Sequence, residues 1–336
     1  MREGGQRPGP GGGGRREARS AGAGRRRQRR VRYLVVGFGN LGRRRAALLG
    51  PRCVATVDPQ APGADHRTVD AVAADRYDAV ILAVPNRDKP DYVRRFLRSG
   101  KSVLVEKPML FGGRRDLEAL EREARGGAIW YTAYNHRFEP LVQRLKTLLD
   151  GGAVGKPDRA RLVYGNGTVR DWLGTWREAG TGVLEDLGCH VLDLGGWLLG
   201  RDDDRYLLWD LRPVESATFD YAAFSTADRR VVYEIGTVFW QNRFEIDVYG
   251  SEGSLHLRGL NKWGGATLAR HTRVYPSGAP PEQRESTIGE DTSWRDDLAE
   301  FERRVAAGEG CGANDWRISA AIASLVAQTA PPQTDG

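Results

Sequence analysis

The chain has 336 residues, enough for two domains with apolar cores of their own, and its formal charge of +7 is unevenly placed. Residues 1–32 hold eleven Arg against two Glu, a net of +9, which leaves −2 for the rest and removes the compositional case for a folded nucleic-acid-binding surface. Three cysteines and five scattered histidines exclude a disulfide framework and give no metal-ligand pattern, and no apolar run reaches the roughly 18–20 residues of a membrane span.

Residues 1–30 are mostly Gly, Pro, Arg and Ser and are expected to be disordered. Such a tail could touch nucleic acid or a membrane surface by charge alone; the plainer reading gives it no role. Arg29-Arg30 ahead of the apolar stretch Val31–Phe38 has the look of a twin-arginine export signal. Cleavage there would delete the glycine motif that follows, so a cytoplasmic location is expected.

Val31–Val36 reads as a buried parallel strand, followed at once by Gly37-Phe38-Gly39-Asn40-Leu41-Gly42 and a helix over Arg43–Leu49. A second strand, Cys53–Val57, closes on Asp58. In this G-x-G-x-x-G pattern Gly37 permits a tight turn, Gly39 lets backbone approach a pyrophosphate, and Gly42 allows close helix–strand packing. The helix N-terminus offers free N–H groups to the phosphates, and Asp58 stands where an acid receives adenosine ribose hydroxyls. A carboxylate there favours NAD over NADP, and Pro59 and Gln60 bring no compensating charge. A lone glycine turn would need no such acid.

Strands Ala79–Val84 and Ser102–Val105 alternate with helices over 89–99 and 114–125, followed by a strand Ala128–Ala133. This is the pattern of a doubly wound parallel sheet, whose ligands lie beyond the carboxyl ends of its strands. Asn86 and the turn Glu106-Lys107-Pro108 fall at such ends, although taken alone Lys107 could be a surface lysine. After Tyr134-Asn135-His136-Arg137-Phe138 and a helix Pro140–Leu149, strands at 158–165, 215–224, 230–240, 243–249 and 253–258 read as an antiparallel sheet. Between them Asp186 and His190, four apart, fall on one face of a helix.

These motifs, in this order, resemble the glucose–fructose oxidoreductase and inositol dehydrogenase family (Gfo/Idh/MocA) over about residues 31–330. The resemblance implies a Rossmann domain at 31–137 and a substrate-binding α/β domain at 138–330 built on a large open-faced sheet. It implies hydride transfer between NAD(P) and a carbinol or carbonyl of a sugar, nucleotide sugar or cyclitol. By resemblance Lys107 is the active-site lysine and Asp186 and His190 form the carboxylate–histidine pair; Cys189 departs from the Ser common before the histidine. Pairing of two copies through the open sheet is expected by analogy.

Oxidising a secondary alcohol needs a base, and imidazole titrates near neutrality, so His190 is the expected proton acceptor, oriented by Asp186. Lys107 is expected to polarise the reacting oxygen. Lysine and histidine could exchange leading roles. Asn86, Glu106 and the glycine loop are expected at the cofactor, and Asn135 and Arg137 either line the nicotinamide end or merely hold their turn. Trp172 and Trp176 could stack on a sugar and Arg177 could bind phosphate or carboxylate, or the loop is merely anchored by its tryptophans. The reading from a different class is a noncatalytic dinucleotide or sugar sensor on the same fold.

Overall fold

The computed structural model describes residues 31–175, 178, 180–201 and 205–329; the expected disorder of residues 1–30 lies outside them. From Val31 onward the contacts form one compact unit.

Five strands, β1 (Tyr33–Val36), β2 (Cys53–Val57), β3 (Ala79–Leu82), β4 (Ser102–Glu106) and β5 (Trp130–Ala133), form a wholly parallel sheet of order β2-β1-β3-β4-β5. Runs such as Tyr-Leu-Val-Val and Ala-Val-Ile-Leu are buried on both faces, as a strand covered by helices on each side requires. Helices α1 (Asn40–Leu49), α2 (Lys89–Arg98) and α3 (Arg114–Arg122) connect them. The point where strand order reverses, between β1 and β3, brings the glycine loop beside the end of β3.

Helix α4 (Pro140–Asp150) leads into the second sheet. Its eight strands are β6 (Pro157–Gly165), β7 (Tyr206–Arg212), β8 (Tyr221–Thr226), β9 (Val231–Gly236), β10 (Arg243–Gly250), β11 (Gly253–Leu260), β12 (Gly265–Thr272) and β13 (Glu282–Thr287). Their order is β13-β12-β11-β10-β6-β9-β8-β7, antiparallel throughout except the central β6–β9 pair. Helix α5 (Cys189–Leu199) and α4 pack on one face over a core that includes Leu162, Leu192, Phe224 and Ile246. The other face carries an ion-pair ladder in which Arg161 meets Glu234 at 2.9 Å and Glu245 at 3.2 Å.

Three differences from the sequence reading have physical causes. The strand expected at 215–224 starts only at Tyr221, because the buried Asp220 carboxylate accepts the N–H groups of Val214, Glu215 and Ser216 and folds that stretch into a turn. Strands β7, β12 and β13 were not anticipated; β13 is almost wholly exposed, so it lacks the buried alternation that marks a strand. The division at 137/138 does not hold for the last helices, α6 (Ser293–Ala307) and α7 (Gly312–Ala327). Leu298 and Phe301 of α6 join the core of the first sheet with Tyr33, Ile81 and Leu104. Helix α7 serves both halves: Ile318 and Leu325 enter the second core, while Asp315 binds Trp130 and Thr132 of β5.

Candidate active site

A cleft of about 360 Å³ runs from the glycine loop past the ends of β3 and β4 to the segment before α5. Gly37 holds φ +88°, and a Cβ there would lie 2.3 Å from the Ala83 carbonyl oxygen; one on Gly42 would lie 1.8 Å from that of Gly37. A Cβ on Gly39 meets nothing within 4 Å, and Gly39, Asn40 and Leu41 line the cleft at the start of α1. The open space over a helix N-terminus fits the pyrophosphate of a dinucleotide. Phe38 lies at the loop's rim, its N–H donated to the Asp58 carboxylate at 2.8 Å.

Asp58 also accepts the N–H groups of Gln60 and Ala61. Desolvation pushes its pKa up, but these backbone hydrogen bonds outweigh it and hold the carboxyl below its ordinary range. Positions 59 and 60 are uncharged as read. The fold nevertheless brings Arg43 and Arg67 to the same loop, where they donate to the carbonyls of Pro62 and Ala61. The argument from absent positive charge is therefore corrected: helix α1 and the chain after Asp65 supply it from a distance in sequence.

At the other end of the cleft, Lys107 follows β4 through a cis Lys107–Pro108 peptide. Its Nζ donates to the Asp186 carboxylate at 2.8 Å and to the Asp186 carbonyl at 2.7 Å. Burial opposes the charge, yet Asp186 outweighs it, so the ammonium stays protonated well above the ordinary lysine range. Held charged by Asp186, the ammonium is suited to stabilising negative charge on an oxygen.

Asp186 lies in a π-helical turn, Leu184–Gly188, that opens α5. The wide turn breaks the α-helical register assumed for Asp186 and His190. The expected orienting bond is corrected accordingly: among the described residues the Asp186 carboxylate meets Lys107, and the His190 ring is held by stacking instead. It lies 4.1 Å from the His136 ring at an interplanar angle of 12°. Both rings are buried, both Nδ1 atoms lack a hydrogen-bond partner, and His136 Nε2 meets the Tyr164 hydroxyl at 3.1 Å. Desolvation, with repulsion from Lys107 and Lys262, holds both imidazoles well below their ordinary pKa, so they are neutral at physiological pH.

Asn86 and Glu106 line the cleft, but each is also bound by protein. Asn86 Nδ2 donates to Glu185 at 2.7 Å across the cleft and its Oδ1 accepts from Lys89. Glu106 pairs with Arg45 at 2.6 Å. Trp172 lines the cleft while being only 3% exposed. Of the two readings of Asn135 and Arg137, the contacts favour the one in which they hold the turn. Asn135 is buried on Ser293, and Arg137 is bound by both oxygens of Asp193 and lines a second cavity with Cys311 and Asn314. Their turn buries His136, the residue between them, against the His190 ring. Trp176 and Arg177 lie outside the described residues.

Sequence reasoning missed His136, Tyr164, Glu185 and Lys89. His136 stands within a quoted motif and Lys89 follows Asn86 by one turn, so both had a local signal; Tyr164 on β6 had only strand alternation to place it.

Two models of one family match the chain: the oxidoreductase family, NAD-binding Rossmann fold, over residues 31–127, and the GFO/IDH/MocA C-terminal domain over residues 142–256. The chain belongs to the Gfo/Idh/MocA oxidoreductase family. The inositol 2-dehydrogenase of Rhizobium meliloti (strain 1021) is 27% identical over 188 residues, covering 51% of this chain and 56% of that protein. The scyllo-inositol 2-dehydrogenase (NAD(+)) of Bacillus subtilis (strain 168) is 28% identical over 193 residues, 52% of this chain and 55% of its own. The chain thus spans about half the length of these relatives in alignment. The fold of levoglucosan dehydrogenase, solved in complex with NADH, matches with a TM-score of 0.71 at 17% identity, covering 88% of this chain and 96% of that one. As a Gfo/Idh/MocA member the chain has a nicotinamide-dinucleotide-binding Rossmann half and a mostly antiparallel second sheet. Among the described residues no helix is long and apolar enough to cross a membrane.

Proposed function

We propose that this protein is an NAD-dependent dehydrogenase or ketoreductase acting on a secondary hydroxyl or carbonyl of a sugar, nucleotide sugar or cyclitol. The observation that carries the reading is the Lys107–Asp186 pair at one end of a cleft whose other end is the glycine loop. Gly39–Leu41 and Asp58 would hold the pyrophosphate and ribose of NAD, which when bound supplies the hydride acceptor. Lys107 faces the reacting oxygen and stabilises its developing negative charge, while Asp186 keeps that lysine charged and fixed in place. His190 remains neutral and can accept the hydroxyl proton, and its stack with His136 fixes the plane of the ring. Asp58 favours NAD over NADP. Names of relatives that act on inositols support the substrate class. The reading includes a cytoplasmic location and a pair of copies meeting through the open sheet, whose Arg161–Glu234–Glu245 ladder suits a polar interface.

The test follows absorbance of reduced cofactor over free sugars, nucleotide sugars, inositols and their keto forms. Turnover of at least one such compound is expected, faster with NAD than NADP. Tight NADH binding with no turnover across the panel would instead support the sensor reading.

A further inference from the structure

A second lysine enters the site from the far half of the chain. Lys262 lies in the short turn after β11, and its Nζ donates to the Tyr164 hydroxyl at 3.0 Å. That hydroxyl touches His136, which stacks on His190. The Lys262 ammonium lies over the rings of Trp263 and Tyr164, 4.9 and 5.5 Å from their centroids. Lys262 is exposed as a whole residue, while its desolvated ammonium end points into the enclosed group around Tyr164 and Lys107. An ammonium has three donors, and among the described residues Lys262 uses one of them and has no carboxylate within 4 Å. Lys107, by contrast, is already neutralised by Asp186.

We infer that Lys262 binds an anionic group on the substrate, a carboxylate or phosphate carried by the sugar or cyclitol ring, and so selects acidic sugars over neutral ones. The inference rests on the proposed activity and names its substrate class. The aromatic flank presents a surface for ring C–H groups and keeps the lysine extended, so little side-chain freedom is lost on binding. Around it stand Lys107 after β4, Asp186 in the π turn, Tyr164 on β6, His136 and Glu139 beside the β5–α4 turn, His190 on α5, and Asp291 ahead of α6. Desolvation and repulsion from Lys107 bring the Lys262 pKa down to about 8, against attraction from Glu139, Asp291 and Asp186. A bound anion restores the preference for charge, so binding is strongest below that pH and takes up a proton near it.

The experiment is calorimetric titration of the NADH-loaded protein with D-glucuronate, glucose 6-phosphate and glucose at pH 7 and pH 9. At pH 7 at least one acidic sugar is expected to bind about tenfold or more tighter than glucose, as a charge-assisted contact provides. Binding of only the carboxylate or only the phosphate supports the inference and says which anion fits. The advantage is expected to shrink at pH 9, to vanish in Lys262→Met and to persist in Lys262→Arg. Equal affinities at pH 7, no binding of either acidic sugar, or an undiminished advantage in Lys262→Met would overturn it. The pH comparison on the unaltered protein decides the matter even where a variant fails to fold. Tighter binding of an acidic sugar together with no turnover anywhere in the panel of sugars, inositols and keto forms defeats the dehydrogenase reading and leaves the anion site standing.

Discussion

In the proposed chemistry Lys107 and His190 divide the work between a fixed charge and a neutral acceptor. Because Asp186 holds Lys107 protonated, Lys107→Ala removes a positive charge from the proposed place of the reacting oxygen without touching the glycine loop. Turnover is expected to fall about 10²–10³-fold, the scale of losing one preorganised donor, while NADH affinity measured by fluorescence stays nearly unchanged. His190→Ala is expected to cost about 10²–10⁴-fold. The pH profile separates their roles. Burial holds the His190 pKa well below 6.5, so the acid limb of sugar oxidation is expected below that value, and to flatten in His190→Ala. Stability follows the same sign. A depressed folded pKa means that below about 6.5 the unfolded chain takes up protons which the folded chain refuses. Each buried histidine therefore costs about 1.4 kcal/mol of stability per pH unit, until pH reaches its folded pKa. Urea midpoints should fall steeply between pH 7 and pH 5.5, and less steeply in His136→Gln.

At the scale of elements, the junction of β1, the glycine loop and α1 is fixed by backbone contact. Gly42→Ala would press a Cβ into the Gly37 carbonyl, so α1 must shift away from the loop. Overpacking of this kind costs about 1–3 kcal/mol, and NADH affinity is expected to drop about tenfold or more in a protein whose circular dichroism is unchanged. Asp58 closes the neighbouring strand. Asp58→Ser is expected to narrow the preference for NAD, because Arg43 and Arg67 already stand at that loop and meet a 2′-phosphate once the carboxylate is gone. Steady-state kinetics with both cofactors measure this, and an unchanged preference would remove Asp58 from the discrimination. The first sheet was legible from its residues because parallel strands buried on both faces are uninterrupted apolar runs, and each glycine has one steric task. The geometry of Asp186 was not. A spacing of four fixes a common face only in an α-helix, and nothing in Leu184–Gly188 announces a π turn. For Arg137 and Asn135 two readings stayed open for a related reason: a motif names a turn, and neighbours within a single turn point different ways. Lys262 had no local signal at all, since only the pairing of β11 with β10 and of β10 with β6 brings it to Tyr164.

For the whole molecule, the binding of α6 to the first sheet is carried by a buried charge cluster. Arg45 on α1, itself fully buried, holds Glu106 at 2.6 Å and Asp297 of α6 at 2.8 Å, and Tyr131 donates to the second Asp297 oxygen. Asp297→Ala leaves the guanidinium half-paired in the interior, a loss of about 3–5 kcal/mol. The urea midpoint should report it, with unfolding still a single transition if the two halves fold as one unit. A chain beginning at Val31 is expected to keep both NADH affinity and this midpoint, because no member of the cluster precedes that residue.

Helix α6 also sets an order of events during synthesis. The ribosome releases β5 long before α6, and at about 5–20 residues per second the stretch from Ala133 to Ser293 takes on the order of ten seconds. Throughout that interval Arg45 has Glu106 but no Asp297, and the apolar surface of Tyr33, Ile81 and Leu104 waits uncovered for Leu298 and Phe301. The nascent dinucleotide-binding half therefore carries that surface bare until α6 emerges, and excising it as a separate fragment would leave the surface permanently uncovered.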